Sequence, residues 1–168
     1  MDKGNCELER IITFLTSIGI KIVEKDIPEI TFLPGLHLGP NTIYLDLAKL
    51  KYPGDLLHEA GHIAVTAPSQ RNIIGTEKID KDWPTQGDEI AAILWSYAAL
   101  SHLSLPPEFV FHENGYKGTS GWFIDNFTSG NYIGLPLLQW FKMAYSNNEI
   151  SCHNKPLFPA MQNWLRSE

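Results

Sequence analysis

The pattern of hydrophobic and polar positions separates a mixed first third of the chain from a mainly helical remainder. Apolar side chains recur every three or four positions over residues 5–18, which predicts an amphipathic helix that ends at Gly19. Three segments rich in β-forming residues follow it, and we expect strands at 20–25, 29–33 and 42–46. These strands would form a small sheet ahead of the helical part of the chain.

The apolar spacing of the later segments is typical of helices. Residues 54–67 predict one helix, with Asp55 as its N-cap. Residues 86–103 predict a second helix, and its nearly continuous apolar character indicates burial on most sides. Thr85 and Asp88 fit a capping box at the start of this second helix.

The segments between and after these helices have weaker patterns. Residues 68–85 are polar and interrupted by proline and glycine, which predicts a loop with a short strand at 73–74. Residues 112–134 hold five glycines and several aromatic residues, and they predict further loops. Helices are also expected at 121–127, 135–145 and 156–165.

The order of these elements predicts the fold class. Strands are expected before residue 50 and helices mostly after residue 54, which is the segregation of an α+β fold. A small N-terminal β-sheet would pack on the helix at 54–67, and a mainly helical C-terminal part would close the other side. A length of 168 residues is typical of one domain, so we expect a single domain over residues 1–168.

Composition excludes several classes of function. A formal net charge of −6 without a basic run argues against a nucleic-acid surface. No apolar run reaches the length of a membrane span, and the acidic start does not resemble a secretory signal. We therefore expect a cytoplasmic protein without a membrane partner, of unknown oligomeric state. Cys6 and Cys152 leave one disulfide open but indicate neither a disulfide framework nor a cysteine zinc site.

The helix at 54–67 contains His58-Glu59-Ala60-Gly61-His62, the HExxH pattern of zinc hydrolases. Two histidines four positions apart lie one turn apart on the same helix face, where both imidazoles can bind one metal ion. Glu59 can then reach a water activated by that ion. The alternative is an amphipathic helix with two solvent-facing histidines.

A catalytic zinc site needs a third protein ligand and one open position. A third histidine shortly after the motif is excluded, because Val65 and Pro68 occupy the positions where that pattern has glycine and histidine. Glu89 is the best candidate, because a core-facing carboxylate in an apolar helix is costly unless it is paired or metal-bound. Asp88 is the rival ligand, and helix capping is the structural explanation that stays open for both acids.

The motif, with a β-strand before it and Gly87-Asp88-Glu89-Ile90-Ala91-Ala92 after it, resembles the gluzincin branch of the zincin metallopeptidases. The glutamate-bearing helix followed by Leu105-Pro106-Pro107 is also similar to the compact ImmA/IrrE type of zincin domain. The resemblance covers about residues 40–107, and the C-terminal third lies outside it. It implies a zincin-like fold and a zinc-dependent metallopeptidase that acts on a peptide or protein substrate.

The resemblance also implies roles for particular residues. The zinc ligands would be His58, His62 and Glu89. Glu59 would be the general base that takes a proton from the metal-activated water. The strand at 42–46, which includes Tyr44, would be the edge strand that aligns an extended substrate by backbone hydrogen bonds.

A zinc peptidase often has a further side chain that stabilises the oxyanion. The candidates are His112 and Tyr116 and, less favoured, His102 and Tyr97. Asp55 and Asp125 are candidates for orienting the ligand imidazoles. We expect residues 112–134 to form a wall or lid over the metal, with simple core packing of their aromatic side chains as the alternative.

Two other functions remain open from the sequence. A zinc-bearing domain without turnover would act as a binding or regulatory module, although such a domain has no need of Glu59. A deformylase-like hydrolase would use a cysteine as third ligand, and neither Cys6 nor Cys152 has the surroundings expected of one.

Overall fold

Three short strands precede the HExxH helix in the computed structural model, and the elements after that helix are helical. The structure describes residues 3–168, with side chains described from residue 6 onward. The strands are β1 (Lys21–Glu24), β2 (Leu36–Gly39) and β3 (Thr42–Leu45). The helices are α1 (Lys3–Ser17), α2 (Asp55–Val65), α3 (Pro68–Arg71), α4 (Gln86–His102), α5 (Ser120–Thr128), α6 (Leu135–Trp140) and α7 (Asn147–His153). The α+β class is therefore confirmed as a small three-stranded sheet in a mostly helical chain.

Helices formed where the apolar periodicity was strongest. The helices predicted at 5–18, 54–67, 86–103 and 121–127 are confirmed as α1, α2, α4 and α5. In the part of the chain that the structure describes, no helix combines the length and apolar character needed to cross a membrane.

The sheet has the strand order β1-β3-β2, so β3 is its central strand. β3 runs parallel to β1, with Lys21 opposite Thr42, and antiparallel to β2, with Leu36 opposite Leu45. The segment that joins the parallel pair contains β2 rather than a crossover helix. The prediction that residues 42–46 form an edge strand is wrong: both edges of β3 are already paired, so no extended peptide can add to it.

The strand predicted at 29–33 is also wrong. These residues form an irregular loop between β1 and β2, in which Ile30 and Phe32 are exposed to solvent. The strand forms instead at β2, because Leu36 is buried in the core and its neighbours pair with β3. The strand predicted at 73–74 is a turn, and the burial of Ile74 reflects packing rather than strand pairing.

The prediction of a helix at 156–165 is wrong because tertiary contacts use the backbone of this segment. The carbonyl of Trp164 accepts a hydrogen bond of 2.9 Å from Nε1 of Trp95 on α4. The amide of Arg166 donates to the carbonyl of Ala64 on α2, also at 2.9 Å. The C-terminal segment therefore crosses α2 and α4 in an irregular conformation.

The helix predicted at 135–145 is shorter than expected and ends at Trp140 as α6. A further helix, α7, begins after Ser146, whose hydroxyl and backbone form a capping box with Glu149. This capping signal is present in the sequence, and it marks a helix that the weak apolar periodicity did not predict.

Close packing of α2 against α4 positions the site. Gly61 on α2 faces Ala92 on α4, and a Cβ atom at Gly61 would lie only 2.7 Å from the Ala92 carbonyl oxygen. It would also lie 3.1 Å from the Ala92 Cα atom, so backbone rather than a flexible side chain blocks that space. The absence of a side chain at residue 61 thus lets the two helices approach closely enough to bring their polar residues together.

The substitution Gly61→Ala is expected to lower the free energy of unfolding by about 1–3 kcal/mol, because overpacking forces the two helices apart. This loss would exceed the gain in helix propensity, which is at most about 1 kcal/mol. Gly121→Ala is the matched control, since no heavy atom lies within 4 Å of a Cβ built there on α5. Urea unfolding measures the free energy of unfolding, which should be at least as large in Gly121→Ala as in the wild type. Equal stability of the two variants would contradict the packing argument.

Candidate metal centre

Helix α2 presents two buried imidazoles to the same point. His58 and His62 are 8% and 5% exposed and lie one turn apart. Their Nε2 atoms are 3.2 Å apart, and the two rings are nearly perpendicular at 86°. Both Nε2 atoms therefore converge on one point.

Helix α4 adds a carboxylate to this point. The Glu89 Oε2 atom lies 3.1 Å from Nε2 of His62, and its Oε1 atom lies 3.5 Å from Nε2 of His58. Asp88 is engaged elsewhere: its Oδ2 accepts hydrogen bonds from the Thr85 amide at 2.9 Å and the Thr85 hydroxyl at 2.8 Å. The capping box predicted for Thr85 and Asp88 is confirmed, and this role holds Asp88 away from the histidines.

The spacing of the three side chains fits a bound metal ion. A tetrahedral ion with bonds of about 2.0–2.1 Å holds its ligand atoms about 3.3–3.4 Å apart. The two Nε2 atoms are 3.2 Å apart, and each lies near one Glu89 oxygen, His62 at 3.1 Å from Oε2 and His58 at 3.5 Å from Oε1, so the separations are close to that distance. His58, His62 and Glu89 thus lie close enough to hold a metal ion. Two imidazoles and one carboxylate are a donor set that zinc and other first-row divalent metals accept.

The second nitrogen of His58 has a defined partner. Its Nδ1 atom lies 3.2 Å from the hydroxyl of Tyr116, and the two rings meet edge to face. If Nε2 binds a metal ion, Nδ1 has to carry the imidazole proton, and the Tyr116 oxygen is then its acceptor. Tyr116, a predicted oxyanion partner, therefore also supports a ligand. Nδ1 of His62 is buried and has no hydrogen-bond partner among the described residues.

An unusual turn holds Tyr116 in this place. Tyr116 and Lys117 both have φ of 53°, and Gly118 follows with φ of 81°. A left-handed conformation costs a non-glycine residue about 1–2 kcal/mol, so two in succession mark a segment that its surroundings force into shape. Strain of this kind is concentrated at functional sites. Packing of the Tyr116 ring against Phe111 and Phe123, with centroids 5.2 and 5.4 Å away, contributes to holding it.

Tyr116→Phe is expected to weaken metal binding by about 10–100-fold, the usual cost of losing a partner that orients a metal-binding histidine. The change removes only the hydroxyl, so the aromatic packing and the thermal stability of the metal-free protein should be nearly unchanged. Competition with a chelating dye measures the metal affinity. Tyr97→Phe is the control, because the Tyr97 ring packs on Phe127 and Tyr132, with centroids 5.1 and 6.1 Å away. Equal metal affinity in both variants would contradict a supporting role for Tyr116.

Glu59 is half-buried and carries a shifted pKa. Burial raises its pKa to about 7, with Glu89 and Asp55 acting in the same direction and His62 opposing them. In the part of the chain that the structure describes, no residue makes a hydrogen bond with the Glu59 carboxyl. A carboxyl with this pKa can both accept and release a proton near neutral pH.

Burial and the neighbouring charged groups shift the pKa values of all three triad residues. Burial lowers the pKa of His58 to about 4, and neighbouring His62 adds to that effect. Burial also acts to lower the pKa of His62, but the hydrogen bond with Glu89 and the charge of Glu59 outweigh it and raise the pKa. Burial would raise the pKa of Glu89, but the two histidines lower it overall. A neutral imidazole at His58 and an ionised Glu89 are the states in which these groups bind metals.

The prediction that Asp55 is the N-cap of α2 is wrong, because Gly54 takes that position. The Asp55 carboxylate is buried and its Oδ1 atom accepts a 2.8 Å hydrogen bond from Nε2 of His112. The His112 ring stacks on Tyr52 with centroids 3.8 Å apart. Burial raises the pKa of Asp55, although His112 opposes the shift. His112, another predicted oxyanion partner, is therefore tied to Asp55.

A cavity of about 260 Å³ opens beside the triad. Asp55, His58 and Glu89 form its polar side. The remaining lining residues are mostly apolar or aromatic: Phe32, Leu33, Ile93, Gly115, Tyr116, Lys117, Thr119 and Phe123. Residues 115–123 thus contribute a wall of the site. They belong to the stretch 112–134 that was expected to form such a wall. Trp122 is half exposed and does not line the cavity, and Phe127 is buried in the core.

Several residues singled out in the sequence lie outside this cavity. Tyr44, predicted to bind substrate, lies under the Nζ atom of Lys25 at 4.2 Å and stacks on His37. His102 packs between Phe14 and Trp164. Asp125, Cys6 and Cys152 are exposed, and the two cysteines are free thiols outside the triad.

Phe32, Leu33 and Ile93 line the cavity but were not predicted as cavity residues, whereas Phe123 belongs to the stretch 112–134 that was expected to form a wall. Only Ile93 carried a local signal, since it follows Glu89 by one helical turn on α4. Phe32 and Leu33 had been placed in a strand, so their position at the mouth of the cavity could not be anticipated.

No protein-family model matches the chain, and comparison with curated proteins and with solved structures found no match either. The family suggested by the HExxH motif therefore rests on the residues of the site alone.

Proposed function

We propose that the protein is a zinc-dependent metallopeptidase of the zincin type, in which His58, His62 and Glu89 hold the zinc and Glu59 is the general base. The observation that carries the proposal is the convergence of three ligand atoms from α2 and α4 next to a free carboxyl with a raised pKa. A purely structural metal site is closed by four protein ligands, whereas the described residues supply three.

A zinc ion in this place would supply a Lewis acid for the scissile carbonyl and lower the pKa of a water molecule to about 7. Glu59 accepts the proton of the attacking water and then donates it to the leaving amine, which its pKa near neutrality allows. Glu89 and His58 keep their lone pairs for the ion, because the first is ionised and the second is neutral. Tyr116 holds the His58 ring in orientation through Nδ1.

The outer edge of β2 provides a place for an extended peptide. β2 is at one end of the sheet and pairs with β3 along one edge. The Leu36 amide already donates to the Leu33 carbonyl at 3.1 Å and Gly75 lies close to the Leu38 carbonyl, so a peptide would pair with the backbone groups between them. Leu36, His37 and Leu38 of this strand line a groove together with Glu59. A peptide that adds to β2 by backbone hydrogen bonds would therefore pass the general base. This strand takes the role that the sequence had assigned to residues 42–46.

The proposal is tested with zinc-loaded protein and a library of unfolded polypeptides whose products are identified by mass spectrometry. Cleavage at defined peptide bonds is expected, followed by its loss on chelation and its return when zinc is restored. Stoichiometric zinc without any cleavage across the library would favour the alternative of a zinc-bearing domain without turnover.

A further inference from the structure

The cavity beside the triad has two chemically distinct halves. Its polar half consists of groups assigned to the metal and its supports: Asp55, His58 and Glu89. Its other half is formed largely by hydrocarbon and aromatic surface from three separate segments of the chain. These segments are the β1–β2 loop with Phe32 and Leu33, α4 with Ile93, and residues 115–123 with Tyr116 and Phe123. An apolar surface next to the residues proposed to hold the metal is suited to an apolar ligand group.

The floor of the apolar half is preformed. Ile93 is only 6% exposed and lies on the rigid helix α4, one turn after Glu89. The Phe123 ring packs against Tyr116, Phe111 and Phe127, with centroids 5.4 to 5.8 Å away. Because these side chains are already ordered, a ligand group that enters the cavity does not have to order them.

The mouth of the cavity carries a strongly exposed aromatic side chain. Phe32 is 92% exposed, which is an unusual position for a large aromatic residue. It lines both the cavity and the groove that contains Glu59 and β2. It therefore lies at the point where a peptide in the groove would turn a side chain toward the cavity. A ligand side chain placed there would cover the exposed face of Phe32.

We infer that this cavity binds one large aliphatic or aromatic side chain of the substrate, adjacent to the bond that is cleaved. The inference rests on the proposed function and names its substrate class: polypeptides with a residue such as leucine or phenylalanine next to the scissile bond. A volume of about 260 Å³ lies just below the range of roughly 300–1,000 Å³ that holds whole small-molecule ligands. It suits a single bulky side chain, and the apolar walls disfavour a charged one.

Binding of hydroxamates to the zinc-loaded protein tests the inference without any need for turnover. Acetohydroxamate has no side chain and reports the metal alone. Each compound of two further series carries one side chain. The N-acetyl amino-acid hydroxamates place it on one side of the metal, and the 2-substituted succinyl monohydroxamates place it on the other. In one series, isobutyl and benzyl groups are expected to bind at least about tenfold more tightly than methyl, as burial of a large apolar group predicts. A carboxymethyl group should bind more weakly than methyl.

Phe32→Ala is expected to reduce the preference for isobutyl over methyl by about threefold or more, while acetohydroxamate binding stays unchanged. Trp140→Ala is the matched control, because Trp140 is also an exposed aromatic residue but lies on α6 outside the cavity. Both side chains are exposed, so neither change should affect folding. Equal affinity for all side chains in both series would overturn the inference and leave the zinc site standing. Failure of acetohydroxamate itself to bind would overturn the proposed zinc site, and the inference with it.

Discussion

Replacing Glu59 with glutamine is expected to lower the rate of peptide hydrolysis by about 10²–10⁴-fold, the usual contribution of a general acid–base group. Glutamine has nearly the same shape but cannot take a proton from water. No described residue holds the carboxyl of Glu59 by a hydrogen bond, so its replacement should leave the fold intact. Glu59 is also not a member of the metal-holding triad, so the metal content should be unchanged.

The measurement compares kcat/KM on one cleavable peptide with the metal content of the same samples. Glu77→Gln is the matched control, since Glu77 is exposed in the segment between α3 and α4. A Glu59→Gln enzyme as active as the control would contradict the role of Glu59. A variant that loses both metal and activity would instead make Glu59 a part of the metal site.

Zinc is expected to raise the free energy of unfolding by about 2.7 kcal/mol when its free concentration is 100 times the dissociation constant. The effect follows because the ligands come from two helices and converge only in the folded chain, so zinc binds the native state in preference to the unfolded one. His62→Ala should abolish the increase, since it removes one of the two imidazoles that face Glu89.

Thermal unfolding with buffered zinc measures this stabilisation. His153→Ala is the control for zinc bound at the surface, because His153 is exposed at the end of α7 and follows the free thiol of Cys152. Its response to zinc should match that of the wild type. The same zinc response in His62→Ala as in the wild type would show that the stabilising zinc binds elsewhere.

The three residues that lie close enough to hold a metal ion were predictable because their arrangement is mostly local. His58 and His62 are brought together by helical periodicity alone, and α2 formed where the apolar spacing placed it. Glu89 was preferred because a core-facing carboxylate in an apolar helix is costly, and Asp88 stayed open as a ligand until the structure placed it in the capping box with Thr85. The strong helix patterns likewise predicted the mostly helical part of the α+β fold.

The support of the site was less predictable because it depends on contacts distant in sequence. Tyr116 reaches His58 only through two left-handed residues, a conformation that neither Tyr116 nor Lys117 favours. Asp55 looked like an N-cap, but its partner is His112, which lies on a loop 57 positions later. No local pattern encodes such a pairing.

The positions of β1 and β3 were predictable, but the position of β2 and the order of the strands were not. β2 has only four residues and contains a glycine, so its propensity was weak, and pairing with β3 decided its conformation. The strand order places β3 in the centre of the sheet, so it has no free edge to which a substrate could add. Tertiary hydrogen bonds to Trp95 and Ala64 similarly prevented the C-terminal segment from forming a helix.

The metal content of purified variants tests the metal-holding triad most directly. One metal ion per chain is expected in the wild type and in Asp88→Ala, whose side chain only caps α4. Content should fall close to zero in His58→Ala and His62→Ala, and the affinity for zinc should fall strongly in Glu89→Ala. Unchanged zinc affinity in Glu89→Ala, or full metal content in either histidine variant, would contradict a single ion held by these three side chains.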